Sequence, residues 1–172
     1  VLLGKNGSGK TTIAKLLLGF YKNYSGSIHI NDIELRDISL SDLRSRIGSV
    51  AQNIFLFSGT LLDNIRYIAP ELKEQEVISV LRQAGLDISE FEDGLNSLIS
   101  ENGKNLSGGQ RQKIALARMI VKNPDVMIFD EATANLDIAS SALLKESIKT
   151  YFDEKICLII THDKSMTSIA DT

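Results

Sequence analysis

Near its start the chain reads Gly4-Lys5-Asn6-Gly7-Ser8-Gly9-Lys10-Thr11, followed by Thr12. This stretch fits the phosphate-binding pattern G-x-x-x-x-G-K-[ST] at every fixed position. The apolar run Val1-Leu2-Leu3 precedes it, and helix-forming residues follow it as far as Gly19, so it connects a predicted strand to a predicted helix. The sequence therefore predicts a loop that binds the phosphates of a nucleotide, in preference to an ordinary glycine-rich turn.

The residues of this loop are expected to contribute in different ways. Gly4, Gly7 and Gly9 are expected to take positive φ angles, which turn successive backbone N–H groups inward as a nest for anions. The positive end of the following helix adds to this nest. Lys10 is expected to reach the β- and γ-phosphates, and the hydroxyl of Thr11 to ligate Mg²⁺. The predicted nucleotide-binding set of the loop is Gly4, Asn6, Gly7, Ser8, Gly9, Lys10, Thr11 and Thr12.

Length, charge and cysteine content narrow the classes of protein to consider. A chain of 172 residues suits one domain with its own apolar core. Its net charge of −3 gives no general attraction to nucleic acid, and we predict no nucleic-acid partner. The single cysteine, Cys157, excludes an intrachain disulfide. Because residue 1 is not Met and lies inside a predicted strand, we expect the chain to be truncated at its start, and its end carries no evident terminal element either.

Apolar runs joined by helical patterns predict an α/β fold with a parallel sheet. Buried strands are expected at 47–51, 125–129 and 156–160, with a helix over 138–152 between the last two. These segments, together with the phosphate-binding loop, form the predicted core.

Two further features complete the predicted fold. Alternating runs on either side of Asn31-Asp32 indicate a small antiparallel strand pair, and residues 39–46 indicate a short helix capped by Ser41 or Asp42. Residues 53–123 show mostly helical periodicity, which indicates an α-helical subdomain inserted into the α/β core.

Polar residues follow each buried strand at the point where it ends. Gln52, Asp130-Glu131 and His162 occupy these positions. Ligands of parallel α/β sheets bind at the carboxyl ends of the strands, so we expect these side chains near the phosphates. Asp130 is the expected second partner of Mg²⁺, and Glu131 the expected base that orients or deprotonates a water. Gln52 is expected to sense the metal or the water, and His162 to donate to the γ-phosphate.

A second distinctive stretch reads Leu106-Ser107-Gly108-Gly109-Gln110 and precedes an amphipathic helix that ends at Asn123-Pro124. Ser107 is the expected N-cap, and the two glycines expose the first N–H groups of the helix to an anion. Since one loop already holds the phosphates, this helix end makes most sense if it contacts a nucleotide bound by another copy. Three basic residues of the helix are interpreted as a solvated face: Arg111, Lys113 and Arg118.

Taken together, these residues resemble the nucleotide-binding domain of an ABC transporter over nearly the whole chain. The motifs match in the family's order: Gly4–Thr11 is similar to Walker A, Gln52 to the Q-loop, Leu106–Gln110 to the LSGGQ signature, Val126–Asp130 with Glu131 to Walker B and its catalytic glutamate, Ala134–Asp137 to the D-loop, and His162 to the switch histidine. The resemblance departs at Lys5 and Ala51, where proline is frequent, and in the D-loop, but no expected ligand is missing.

The resemblance implies a single ABC ATPase domain with the P-loop NTPase (RecA-like) fold. Its α/β core would comprise 1–52 and 124–172, and its helical subdomain 53–123 with the signature. The implied activity is ATP hydrolysis with ATP and Mg²⁺ as cofactors. The implied roles are catalytic for Lys10, Gln52, Glu131 and His162, metal-binding for Thr11, Gln52 and Asp130, and nucleotide-binding for the loop residues, Gln52, Ser107, Gly108, Gly109, Gln110 and Asp137.

Partners and location follow from the same resemblance. The implied partners are a second ABC ATPase domain, in a homo- or heterodimer with ATP at the interface, and a membrane-spanning domain in the same full-length chain, at the cytoplasmic face of the cell membrane. Residues 55–65 are similar to the segment of exporter-type members that receives a coupling helix, although Phe55 and Phe57 also suit a core. The alternative is a soluble ABC-type ATPase that acts on nucleic acid or ribosomes. A catalytically inactive regulatory domain is disfavoured because the catalytic residues are present.

Overall fold

A computed structural model describes residues 1–5, 7–51, 53–132, 138–151 and 154–170. The predictions made for Asn6, for Gln52 and for the D-loop residues Ala134–Asp137 therefore lie outside the described residues. Within the described ranges, none of the helices is long and apolar enough to cross a membrane.

Strands and helices alternate along the chain. The strands are β1 (Leu2–Leu3), β2 (His29–Ile30), β3 (Ile33–Glu34), β4 (Ile47–Ala51), β5 (Gly59–Thr60), β6 (Leu98–Ile99), β7 (Val126–Asp130) and β8 (Ile156–Thr161). The helices are α1 (Lys10–Leu17), α2 (Leu40–Arg46), α3 (Leu61–Arg66), α4 (Glu74–Gln83), α5 (Gly108–Lys122) and α6 (Ile138–Tyr151). Short 3₁₀ turns occur at Leu35–Asp37, Ile88–Glu90, Gly94–Asn96, Glu101–Gly103 and Lys164–Ile169.

The core is a parallel sheet, as the sequence predicted, and its strands lie in the order β1-β8-β7-β4. Asp130 is in register with Ala51 on one side and with Ile160 on the other, and Thr161 is in register with Leu3. The carboxyl ends of all four strands therefore meet at one edge of the sheet, beside the phosphate-binding loop.

Helices cover both faces of this sheet, which explains why its strands are apolar along their length. On β7, Met127 and Phe129 join one buried cluster and Ile128 joins the other. The first cluster contains apolar residues of α3, α4 and α5, and the second contains Ala14 of α1 and Leu43 of α2. Since the first cluster continues from the helical segment into the sheet, the boundaries 52/53 and 123/124 of a separate subdomain stay a prediction.

The small antiparallel element is confirmed, and the cap of α2 is corrected. β2 pairs with β3, and Asn31 and Asp32 form the turn between them. Their φ angles of 47° and 63° suit the turn type that tight hairpins prefer. The N-cap of α2 is Ser39, and neither Ser41 nor Asp42 fills that position. Ser39 Oγ accepts a hydrogen bond from the backbone N–H of Asp42 at 3.0 Å, because only the extended residue just before the helix can turn its oxygen onto the first free N–H groups.

Helix α5 approaches strand β4 closely at Gly48. A Cβ atom at this position would lie 2.6 Å from Sδ of Met119 and 2.8 Å from Cγ of Pro124. The tip of Met119 can move, but the ring of Pro124 is tied to the backbone at the end of α5. The packing of the helix against the sheet therefore requires glycine here.

We predict that Gly48→Val destabilises the fold by about 1–3 kcal/mol, the usual cost of overpacking. The matched control is Ser49→Val, at the adjacent exposed position of the same strand, which should change stability by less than about 0.5 kcal/mol. Urea unfolding of both variants measures the difference, read from the midpoint at constant m-value. Equal stability of the two variants would contradict the close approach.

Candidate active site

The phosphate-binding loop forms the N-terminus of α1. Its N-cap is Gly9, with φ of 90°, and Gly7 has φ of 80°. The expected positive φ angles are confirmed at these two glycines. The first N–H groups of a helix have no partner within the helix, and the first turn of α1 contains no acidic side chain that would repel an anion. The loop and helix end therefore provide a cradle for phosphate oxygens.

For Gly4 the same expectation is wrong, because its φ angle is not among the positive ones. A Cβ atom at Gly4 would lie 2.8 Å from Oγ of Ser8, which can rotate away, and 3.5 Å from Cδ of Lys10, so local crowding in the loop favours glycine here without requiring it. The motif spacing locates Gly4 correctly but does not distinguish a conformational preference from a steric one.

Lys10 lies against the loop that it is predicted to assist. It is only 6% exposed, and its Nζ donates hydrogen bonds to the carbonyl oxygens of Gly4 at 2.7 Å and Lys5 at 2.9 Å. These bonds fix the ammonium beside the phosphate cradle. A bound phosphate would offer it a charged acceptor, and such hydrogen bonds are stronger than those to neutral carbonyls.

Thr11 and Asp130 meet across the site, although 119 positions separate them in the sequence. Oγ1 of Thr11 donates a hydrogen bond to Oδ1 of Asp130 at 3.2 Å. A hydroxyl and a carboxylate are the hard oxygen ligands that Mg²⁺ prefers. No group of three or more His, Cys, Asp or Glu suited to a metal ion occurs among the described residues, so a cation here would need oxygens from phosphate or water as well.

Glu131 and His162 follow the ends of adjacent strands at the same edge of the sheet. The backbone N–H of Glu131 donates to the carbonyl of Ile160 at 2.8 Å, and Glu131 has a φ of 50°, unusual for a residue with a side chain. His162 is exposed and directly follows Thr161 at the end of β8. Strand register thus brings the predicted base and the predicted histidine to the edge that carries the phosphate loop.

A cavity of about 760 Å³ opens at this edge and has the size of a small-molecule site. Its polar lining comes from the phosphate loop, α1, β4 and the end of β7: Gly7, Gly9, Lys10, Thr11, Thr12, Lys15, Ser49, Asn53, Asp130 and Glu131. Asn53 and the apolar Phe20 also line the cavity but belong to no motif, and sequence reasoning missed them. His162 and the residues 106–110 are not part of the described lining.

The second predicted anion site has the expected helix start. α5 begins at Gly108 with Ser107 as its N-cap, and Ser107 and Gln110 form a reciprocal capping box with bonds of 3.1 and 3.0 Å. Ser107 and Gly108 are exposed, so a ligand can reach them. The Gln110 amide is already engaged, because its oxygen completes the cap and its Nε2 donates to Glu90 at 3.3 Å.

The interpretation of the basic residues of α5 as a solvated face is wrong for Arg118. Its guanidinium donates to the carbonyl of Phe55 at 2.7 Å and to both oxygens of the fully buried Asn64, at 2.7 and 2.8 Å. Burial lowers the pKa of Arg118 from its usual value. Arg111 is likewise engaged, since Nη1 donates to the carbonyl oxygens of Leu106 and Gly103.

Arg118 also borders a surface groove of about 330 Å³, the groove beside Phe55. Phe55 is 65% exposed, so the core interpretation is wrong for this residue. Phe57 is partly buried and packs its ring 5.4 Å from the ring of Tyr67, which is 72% exposed. Aromatic side chains therefore remain accessible on the segment that follows β4.

The family described as ABC transporter matches residues 1–134. The chain is 39% identical over 171 residues to an ABC transporter ATP-binding protein of Bacillus subtilis, YwjA. This alignment covers 98% of the chain and 30% of YwjA. It is 40% identical over 172 residues to the ATP-dependent lipid A-core flippase of Neisseria gonorrhoeae. This alignment covers 99% of the chain and 28% of the flippase.

Among solved structures, the fold is similar to a bacterial Atm1-family ABC exporter with ATP bound. The TM-score is 0.89 at 32% sequence identity, over 99% of this chain and 30% of that one. The chain thus spans less than a third of the length of the relatives that it matches.

Proposed function

The chain belongs to the ABC transporter family, and we propose that it binds and hydrolyses ATP as the nucleotide-binding domain of an exporter. The observation that carries this proposal is the contact between Thr11 and Asp130, beside Lys10, in a cavity of nucleotide size. The similarity to a lipid A-core flippase and to an ATP-bound exporter supports it. The alternative, a soluble ATPase acting on nucleic acid or ribosomes, finds no support in these relatives.

In this proposal the phosphate loop, from Gly4 to Thr12 and including Asn6, holds the phosphates of ATP. Lys10 pairs with the β- and γ-phosphates. The oxygens of Thr11 and Asp130 fit a Mg²⁺ ion, with Gln52 as a further proposed ligand. Bound Mg²⁺ would neutralise part of the phosphate charge. Asp137 is proposed to contact the nucleotide from the D-loop.

Glu131 is the proposed general base, since a carboxylate at this edge can accept the proton of a water that attacks the γ-phosphate. His162 is proposed to donate a hydrogen bond to the γ-phosphate, and Gln52 to orient the attacking water. Binding and hydrolysis are therefore assigned to different residues, because the phosphate loop would hold ATP even without Glu131.

We therefore expect Lys10→Ala and Glu131→Gln to fail in different ways. Lys10→Ala should abolish or severely weaken ATP binding, because the phosphates lose their fixed cation. Glu131→Gln keeps the size of the side chain, so it should bind ATP normally but hydrolyse it about 10²–10⁴-fold more slowly. Calorimetry measures binding and phosphate release measures turnover. Unchanged ATP affinity in Lys10→Ala, or a turnover within about threefold in Glu131→Gln, would reject the respective assignment.

We also propose that the domain works as a dimer, either with itself or with a related chain. Ser107, Gly108 and Gly109 form a helix start, exposed at the first two of these residues, outside the described lining of the cavity, which suits contact with the ATP bound by a partner. In a two-fold pair this contact occurs twice, and both nucleotides are buried in one interface. Hydrolysis removes the γ-phosphate and with it the contact, so the pair opens.

Light scattering on the domain with its natural flanking residues tests the dimer. The Glu131→Gln variant should form dimers with Mg-ATP, because the nucleotide persists. Adding Ser107→Arg should keep it monomeric with ATP still bound, because arginine fills the space that the glycines leave. Adding Ser79→Arg, at an exposed position of α4, should not prevent dimers. Dimers of the Ser107→Arg variant would exclude the signature from the interface.

We also propose a partner that is moved by the closing and opening of the dimer. We propose that a membrane-spanning domain in the same full-length chain docks into the groove beside Phe55, at the cytoplasmic face of the cell membrane. The exposed Phe55 and the greater length of the exporter relatives support this arrangement.

Phe55→Asp should uncouple the two domains in the reconstituted full-length exporter. We expect ATP hydrolysis to persist, while the ATP-driven change in spin-label distances across the membrane domain falls several-fold. Ile156→Asp is the matched control, since Ile156 is similarly exposed (69%) but begins β8 at the opposite edge of the sheet. If both variants kept the full distance change, the groove would not be the docking site.

A further inference from the structure

Gln112 has no role in the nucleotide contacts proposed above, yet it touches the segment that carries the proposed base. Its Nε2 donates a hydrogen bond to the carbonyl oxygen of Ala132, the residue after Glu131. We propose that Gln112 is a positioning residue for Glu131 and acts from the signature helix α5. This inference rests on the proposed function, because it assumes that Glu131 is the base.

The backbone around Glu131 needs support from both sides. Its φ of 50° lies in the left-handed region, which side chains disfavour, so the strand end would relax if nothing held it. On one side the N–H of Glu131 is bound to Ile160 of β8 at 2.8 Å. On the other side Ala132 is only 4% exposed, and its carbonyl oxygen accepts a hydrogen bond from Gln112. The backbone on both sides of Glu131 is thus held, by β8 and by α5.

Helix α5 is a firm platform for this amide. Ile114 and Ala117, on the same helix, are fully buried in the large apolar cluster, and Ser107 and Gln110 cap its first turn. Gln112 itself is partly buried and does not line the described part of the cavity. It therefore influences the reaction through Glu131 and not by touching the nucleotide.

The position of Gln112 has a mechanical consequence. It lies five residues after Ser107 on one rigid helix, so the helix end proposed to meet the partner's ATP and the amide that holds the base move together. A shift of α5 on dimer closure would be transmitted to the base of the same copy. Small misplacements of a catalytic group can cost up to about 10²-fold in rate.

The test is a double-mutant cycle in the full-length exporter. Gln112→Met keeps the length of the side chain but removes the donor without adding charge, and we expect it to lower kcat about ten- to a hundredfold with the KM for ATP within about twofold. In a Glu131→Gln background the same change should alter the residual rate by less than about twofold, because the group it positions is already lost. Lys113→Met is the matched control, since Lys113 is adjacent but pairs with Glu90 at 3.7 Å, and it should leave kcat unchanged.

Other outcomes overturn the inference. A kcat within about twofold of wild type, or an equal loss in both backgrounds, would mean that Gln112 does not act through Glu131. If Gln112→Met fails to fold, Gln112→Leu also lacks the donor, adds no charge and carries the same test. A Glu131→Gln protein that hydrolyses ATP normally would reject the proposed base itself, and the inference with it, whereas a slow Glu131→Gln with a fast Gln112→Met rejects the inference alone.

Discussion

The site depends on one constraint, the parallel pairing of β8 with β1 on one side and with β7 on the other. Parallel strands end at the same edge of a sheet, so this pairing delivers Asp130 and Glu131 to the loop that starts after β1. The hydrogen bond from Thr11 to Asp130 forms because that register places the two side chains next to each other. A shift of one residue would turn the side chain of Asp130 to the opposite face and separate its oxygen from that of Thr11.

Helix α5 is the second organising element, because separate contacts along it reach different parts of the protein. Near its start, Gln112 holds the backbone beside Glu131. One and a half turns further, Arg118 holds Phe55 and Asn64 on the segment with the accessible aromatic rings. At its end, Nζ of Lys122 donates to the carbonyls of Arg44 and Ile47, where α2 passes into β4, and burial lowers the pKa of this lysine. One helix therefore connects the signature, the base, the groove and the strand that precedes Gln52.

The sequence predicted the sheet, the helix over 108–122 and the meeting of Thr11 with Asp130, because motif spacing and apolar runs constrain these features directly. It could not predict that Gly4 has no positive φ angle and lies close to Ser8, since both depend on how the loop folds in three dimensions. The same applies to Arg118, which looks like a surface charge on an amphipathic helix until its partners, 54 and 63 positions away, are known. Gln112 escaped notice for this reason too: the carbonyl that it binds belongs to another element, and backbone acceptors leave no mark in a sequence.

The strand order also has a consequence for synthesis on the ribosome. Within the described residues, the sheet partner of β1 is β8, and Leu2 aligns with Ile160, so β1 cannot pair until this much later strand has been made. β4 likewise waits for β7. At about 5–20 residues per second, the glycine-rich loop exists for on the order of ten seconds before its strand can pair. Its nascent form must therefore remain soluble without the sheet, and the loop acquires its final surroundings only after β8 has been translated.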